Sequence, residues 1–208
     1  NGAHLQHETG PIQKVEFSNG LTLLLKEDHR LPFVQLRGMF QGGVLAEKMG
    51  NSGITQLMAK LLVKGTAQRT GQQIAEQIEN VGGGIDAYGG NNSFGVSAEV
   101  MSEDAVLGVE LLADVILNPS FPAEALSRQR EVQLAGIRAQ DDKLLQKTFS
   151  LMRENLFGAH GYGLNSLGIN ESVEALAADD LRAFHAQLAV PNNAVIAVFG
   201  DMDSAQVR

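Results

Sequence analysis

Between residues 93 and 100, polar Ser93, Gly95, Ser97 and Glu99 alternate with apolar Phe94, Val96, Ala98 and Val100. A period of two suits an extended strand with one face in water and the other in a core, so the chain has to build a sheet and cover one side of it. The cover is legible elsewhere. Ile54, Leu57, Met58, Leu61 and Leu62 recur with the spacing of a helix that has one buried face, entered at Asn51-Ser52 as the N-cap and closed by Lys64-Gly65. Thr70 and Gln73 have the spacing of a capping box, Ile74, Ile78 and Val81 continue that second helix, and Gly82-Gly83-Gly84 ends it.

Asn19-Gly20, between strand-like residues 15–17 and 21–26, reads as a hairpin turn. Further strands are expected at 33–40, 85–88 and 194–199. Helices are expected after Ser102-Glu103-Asp104 to about Leu117, stopped by Asn118-Pro119, and over 123–140, 143–157 and 179–188. The order predicts an α+β fold: a single mixed, mostly antiparallel sheet of about six strands with helices on one face. With no repeat or linker in view, residues 1–208 read as one domain. The start at Asn1 and the stop at Arg208 just after a strand read as an excised piece of a longer chain.

Composition then narrows the chemistry. No Cys is present, so there is neither a disulfide framework nor a thiolate metal site, and any metal ligand must be His, Asp or Glu. A net charge of -8 gives no electrostatic support for nucleic acid, and no uncharged stretch is long enough for a membrane span. Charged residues make up only 19% and there are 23 Gly, which suits a surface with faces turned toward another domain. His4 and His7 make a two-ligand clip on an unpatterned terminus; His29, His160 and His185 share no spacing that points to ligation. Ser166 lacks the first glycine of a nucleophile elbow, and Gly82-Gly83-Gly84 closes a helix instead of opening one onto an anion.

The richest stretch runs from Gly53 through Gln56, Ala59 and Lys60 to Lys64-Gly65-Thr66, followed by Arg69, the glycines and Asp86-Ala87-Tyr88. Together with Asn118-Pro119-Ser120-Phe121, residues 130–138, the His160 loop and Val190-Pro191-Asn192-Asn193, it resembles the N-terminal domain of the pitrilysin/insulinase family of zinc peptidases. In active members this helix reads G-x-x-H-x-x-E-H-x-x-x-K-G-T, the inverted zinc motif. The resemblance implies that Gln56 and Lys60 stand where that family has its two zinc histidines and Ala59 where it has the general base. Gly136 stands at the third ligand, a glutamate in active members. Glu131 is five positions earlier, about 140° around the helix, and does not replace it. A carboxamide is a feeble ligand and an ammonium repels a cation, so no metal is expected in this domain.

The same resemblance implies a role. Family members enclose a chamber between two halves, each built from two such domains, and commonly only one half carries zinc. The chain is therefore expected to be a non-catalytic domain. It would pair with a zinc-bearing half or subunit, as a separate subunit or as part of a fused peptidase, and would be joined to a second domain of its own chain. Peptide substrate is a possible further partner. The alternative is a scaffold like the peptidase-derived core subunits of respiratory complexes, with no role in proteolysis. Relatives of this pattern are often exported to the bacterial periplasm. In active relatives the strand matched by Ile85, Asp86, Ala87 and Tyr88 lies at the sheet edge and takes up substrate, so those residues are the expected peptide or partner edge, with Asp86 in place of the usual asparagine. Gly82 to Gly84 would admit another backbone there, and Gly89-Gly90 would let the strand end shift.

Overall fold

The computed structural model describes residues 11–207; the His4 and His7 clip lies outside the described residues. Six strands form one mixed sheet in the order β1-β2-β6-β3-β5-β4. They are β1 (Gln13–Glu16), β2 (Thr22–Glu27), β3 (Phe33–Gln41), β4 (Gly84–Gly89), β5 (Ser93–Met101) and β6 (Ala194–Gly200). Every neighbouring pair is antiparallel except β2 with β6. The hairpin turn expected at Asn19-Gly20 is present: Gly20 has φ 87°, a conformation open to a residue without Cβ, and donates its N–H to the Phe17 carbonyl at 2.9 Å.

The helices are α1 (Ile54–Leu62), α2 (Gly71–Asn80), α3 (Ala105–Leu117), α4 (Ala123–Asp141), α5 (Leu144–Phe157), α6 (Asn170–Ala175), α7 (Ala178–Leu188) and α8 (Ser204–Val207). α6 and α8 are absent from the sequence expectation because neither is long enough to repeat an apolar face. The capping box of α2 forms as its spacing predicts. Gln73 N–H donates to Thr70 Oγ1 at 3.2 Å and Thr70 N–H to Gln73 Oε1 at 2.8 Å. The helix ends with Gly83 N–H on the Ile78 carbonyl at 2.9 Å.

The two-residue alternation sets the layers. Val34, Leu36 and Phe40 of β3 and Phe94, Val96, Ala98 and Val100 of β5 are buried, while Phe33, Arg37 and Met39 are exposed. Phe40 and Phe94 stack with ring centroids 5.2 Å apart. α3 lies so close over this face that a Cβ on Gly38 would stand 2.5 Å from Ile116 Cδ1. α1 differs from the expectation of one buried face. Seven of its nine residues are buried, because β4 and β5 lie on one side of it and α4 and α7 on another.

The Lys64-Gly65-Thr66 and Arg69 match has a physical basis in α3. Asp114, 6% exposed, accepts from Thr66 Oγ1 at 2.8 Å, Arg69 Nη1 at 2.6 Å and Asn118 Nδ2 at 3.1 Å. Burial pushes the Asp114 carboxyl up, but the hydrogen bonds from Thr66, Arg69 and Asn118 together outweigh that and hold it below its ordinary range. A depressed carboxylate stabilises the fold above its unfolded pKa, and that contribution disappears as pH falls through the folded value. Asp114→Asn is therefore expected to cost about 2–3 kcal/mol at neutral pH, since it leaves Arg69 without its counter-charge. Denaturant unfolding should show the difference from wild type shrinking on acidification; a gap independent of pH would refute the assignment.

Candidate functional site

The site expected from the sequence centres on α1, whose start is set by a side chain other than the expected cap. Asn51 lies in a 3-10 turn and accepts Lys48 N–H at 2.6 Å, so it does not cap α1. The N-cap is Gly53, at φ 91°. The carboxylate that satisfies the helix start is Glu47, 4% exposed: Gly53 N–H reaches its Oε2 at 2.8 Å and Thr55 N–H its Oε1 at 3.0 Å. Burial pushes the Glu47 carboxyl above its usual range, and the bonds from Gly53 and Thr55 pull it part of the way back.

From that anchored start the motif positions fall as follows. Ala59 is fully buried, Gln56 is half-buried and Lys60 is exposed. Gln56 donates from Nε2 to the Gly89 carbonyl at 2.6 Å. Gly136 lies on α4, where a Cβ would stand 3.2 Å from Leu167 Cδ1. The register of α4 against α1 is held by Gln133, which donates from Nε2 to the carbonyls of Gly53 at 2.9 Å and Leu167 at 2.8 Å. The fold thus ties Gln56 to β4 and Gly136 to the loop around Leu167.

This donor set does not fit a zinc ion. A carboxamide already engaged on a main-chain carbonyl, an ammonium, a buried methyl group and a glycine packed against leucine supply no anionic or imidazole ligand. Among the described residues no cluster of three or more His, Asp or Glu side chains is placed to hold a metal. His29 and His185 have contacts elsewhere in the fold. His29 Nδ1 meets Asp201 Oδ1 at 2.6 Å, whose other oxygen accepts from Ser102 Oγ at 2.7 Å, and the Asp201 contact raises the His29 pKa. His185 is lowered by burial.

Ile85, Asp86, Ala87 and Tyr88 lie in β4, which ends the sheet and, among the described residues, pairs only with β5. Asp86 and Tyr88 are exposed and Ala87 is buried. The expected looseness of Gly89-Gly90 is not what the fold provides. Gly90 O accepts Val44 N–H at 3.1 Å, and Gly89 bonds Gln56. Sequence reasoning missed Glu47, Gln133 and Leu167: Gln133 and Leu167 meet partners more than thirty positions away, and Glu47 reaches main chain, which has no side-chain signature. The one local hint is Glu47, the single carboxylate between β3 and α1.

Comparison with known proteins agrees with this arrangement. The family model described as Insulinase (Peptidase family M16) matches residues 22–168, a stretch that contains α1, β4 and α4. The mitochondrial-processing peptidase subunit beta of Blastocladiella emersonii is 27% identical over 195 residues, 94% of this chain and 42% of that protein. An uncharacterized zinc protease of Mycobacterium leprae is 33% identical over 152 residues, 73% of this chain and 34% of that protein. A solved structure of an inactive peptidase M16 domain from Pseudomonas fluorescens has a TM-score of 0.89 at 26% identity, covering 95% of this chain and 48% of that one. The first half of the periplasmic protease PqqL from Escherichia coli shares the fold, with a TM-score of 0.82 at 19% identity over 94% of this chain and 44% of that one. The chain spans less than half the length of each of these relatives. With the family model covering most of its length and the motif helix inside the match, this chain belongs to the insulinase family, peptidase family M16.

Proposed function

We propose that this chain is a non-catalytic domain of an insulinase-type metallopeptidase, which pairs with a zinc-bearing half, and with a second domain of its own chain, to form a peptide-degrading chamber. The observation that carries this reading is the state of one well-formed helix: Gln56, Ala59 and Lys60 occupy the ligand and base positions and none can do that chemistry, while Leu167 sits against Gly136. The similar Pseudomonas fluorescens structure is itself described as an inactive domain, which supports the reading. So does α5, none of whose residues is buried. Its Leu145, Phe149, Met152 and Leu156 recur every three or four residues and are 73%, 54%, 48% and 68% exposed, a stripe suited to another helix. We also assign Ile85, Asp86, Ala87 and Tyr88 as the edge offered to peptide or partner, supported by the terminal position of β4 in the sheet.

The deciding experiment is affinity purification of the chain from cells that also make a family member with an intact H-x-x-E-H helix. That member is expected to co-purify and to bring chelator-sensitive peptidase activity, and Phe149→Glu should reduce its recovery severalfold. A stable complex whose proteolysis is the same with and without this chain would favour the scaffold reading.

Two further outcomes follow from the donor set. Tag-free protein should hold far less than one zinc per chain by elemental analysis; a tightly held equivalent lost on Gln56→Ala would refute the reading. The triple variant Gln56→His, Ala59→Glu, Lys60→His should show no chelator-sensitive cleavage by itself. Its third ligand is missing, position 59 is buried among apolar groups, and two imidazoles make an incomplete site. Robust cleavage by that variant alone would mean that another carboxylate completes the site.

A further inference from the structure

α3 is apolar on nearly every side. Of its thirteen residues only Gly108, Glu110 and Asp114 are not Ala, Val, Leu or Ile. A helix of that kind belongs in a core, yet α3 has one face without cover. Its inner residues Leu111, Leu112, Val115 and Ile116 are buried where it packs on β3, β5 and α2. On the opposite side Val106 is 72% exposed, Val109 47% and Leu117 70%, with half-buried Ala113 among them. Positions 106, 109, 113 and 117 have the spacing of one helical face, so these side chains form a single apolar stripe.

The charge around the stripe has one sign. From Thr70 to Ser127 the chain has nine Asp or Glu and no Lys, Arg or His. The elements inside that run are neighbours: β4 lies beside β5 in the sheet, and Ile78 of α2 packs with Leu111 of α3. Glu110 follows Val109 on the stripe, Glu103 stands exposed three positions before Val106, and Glu76 and Glu79 are exposed on α2. Among the described residues no ion pair reaches Glu103 or Glu110. The cations that flank the run are engaged, Arg69 on Asp114 and Arg128 on Glu124, and Arg182, which reaches the Ser120 carbonyl, is paired with Asp179. By contrast the exposed stripe of α5 carries Lys147 and Arg153.

We propose that the outer face of α3 is a docking surface for an amphipathic helix of a partner protein, one whose apolar side is flanked by Lys or Arg. The partner's apolar side chains cover Val106, Val109, Ala113 and Leu117, and its cations meet Glu103 and Glu110. The charge selects this occupant. A second copy of the chain would set one acidic surface against another, which opposes pairing. The face belongs neither to the α5 stripe nor to β4, so the inference adds a contact to the proposed assembly and does not rest on it.

The test uses two fluorescein-labelled helical peptides of about five turns with the same leucine stripe, one with lysine at its polar positions and one with glutamate. Fluorescence anisotropy is expected to show binding of the lysine peptide alone. Methyl NMR should then show shifts at Val106, Val109 and Leu117 and none at Leu145 or Leu156 of α5. Val106→Ser with Val109→Ser should weaken binding about fivefold or more at a nearly unchanged melting temperature, because both side chains are largely in water in the free chain. Glu103→Gln with Glu110→Gln should weaken it about two- to fivefold at low salt and little at high salt. Equal binding of the glutamate peptide, affinity unchanged by either double variant, or shifts confined to α5 overturns the proposal. So does a lysine peptide that fails to bind. A concentration-dependent dimer in sedimentation, abolished by the serine variant, would assign the stripe to a second copy and overturn it as well.

Discussion

A helix buried on nearly every side must find partners for the main-chain groups of its first turn inside the protein, and in this fold the partner is the Glu47 carboxylate. That requirement organises the centre of the molecule. Gln133 brings α4 onto the Gly53 carbonyl, and Ser172 brings α6 onto the Ser52 carbonyl at 2.6 Å. The loop around Leu167 is drawn in by the same Gln133 amide. Three distant segments thus converge on the entry to α1, and the apolar residues from Ile54 to Leu62 fill the space between the sheet and the outer helices.

This arrangement explains how the zinc motif can be absent from an intact fold. The supports of α1 are a carboxylate, a glutamine and a set of apolar side chains, none of them a motif position. Gln56 and Lys60 are the residues of α1 outside its buried set, so substitutions there cost the fold little. Ala59 is the exception, because it faces inward and its small size is part of the packing. A metal that folds its own domain would have allowed no such change; here the helix is held by other means.

The surface follows the same division. One sheet face is buried under helices and the other is partly solvated, while α5 contributes no buried residue and shows an apolar stripe. A stripe of this kind is costly in water unless something covers it, and the chain matches less than half the length of its relatives. The β4 edge is treated differently. It is shortened from within by Gln56 and by the burial of Ala87, which limits open-ended strand pairing of the sort that drives aggregation.

Periodicity and turn chemistry were enough to read the strands, the long helices, the Asn19-Gly20 hairpin and the Thr70 capping box, because each depends on residues a few positions apart. The resemblance to the insulinase family singled out Gln56, Ala59, Lys60 and Gly136, and side-chain type alone shows that these four residues supply no zinc ligand or general base. The start of α1 was misplaced at Asn51 because its true cap comes from a carboxylate elsewhere in the preceding loop. Asp114 as the partner of Thr66 and Arg69, Leu167 against Gly136, and the bond from Gln56 to Gly89 were decided only by tertiary structure. Each joins groups more than thirty positions apart, or main chain with no side-chain signature, so the distance that matters is set by how the layers pack and leaves no local mark in the sequence.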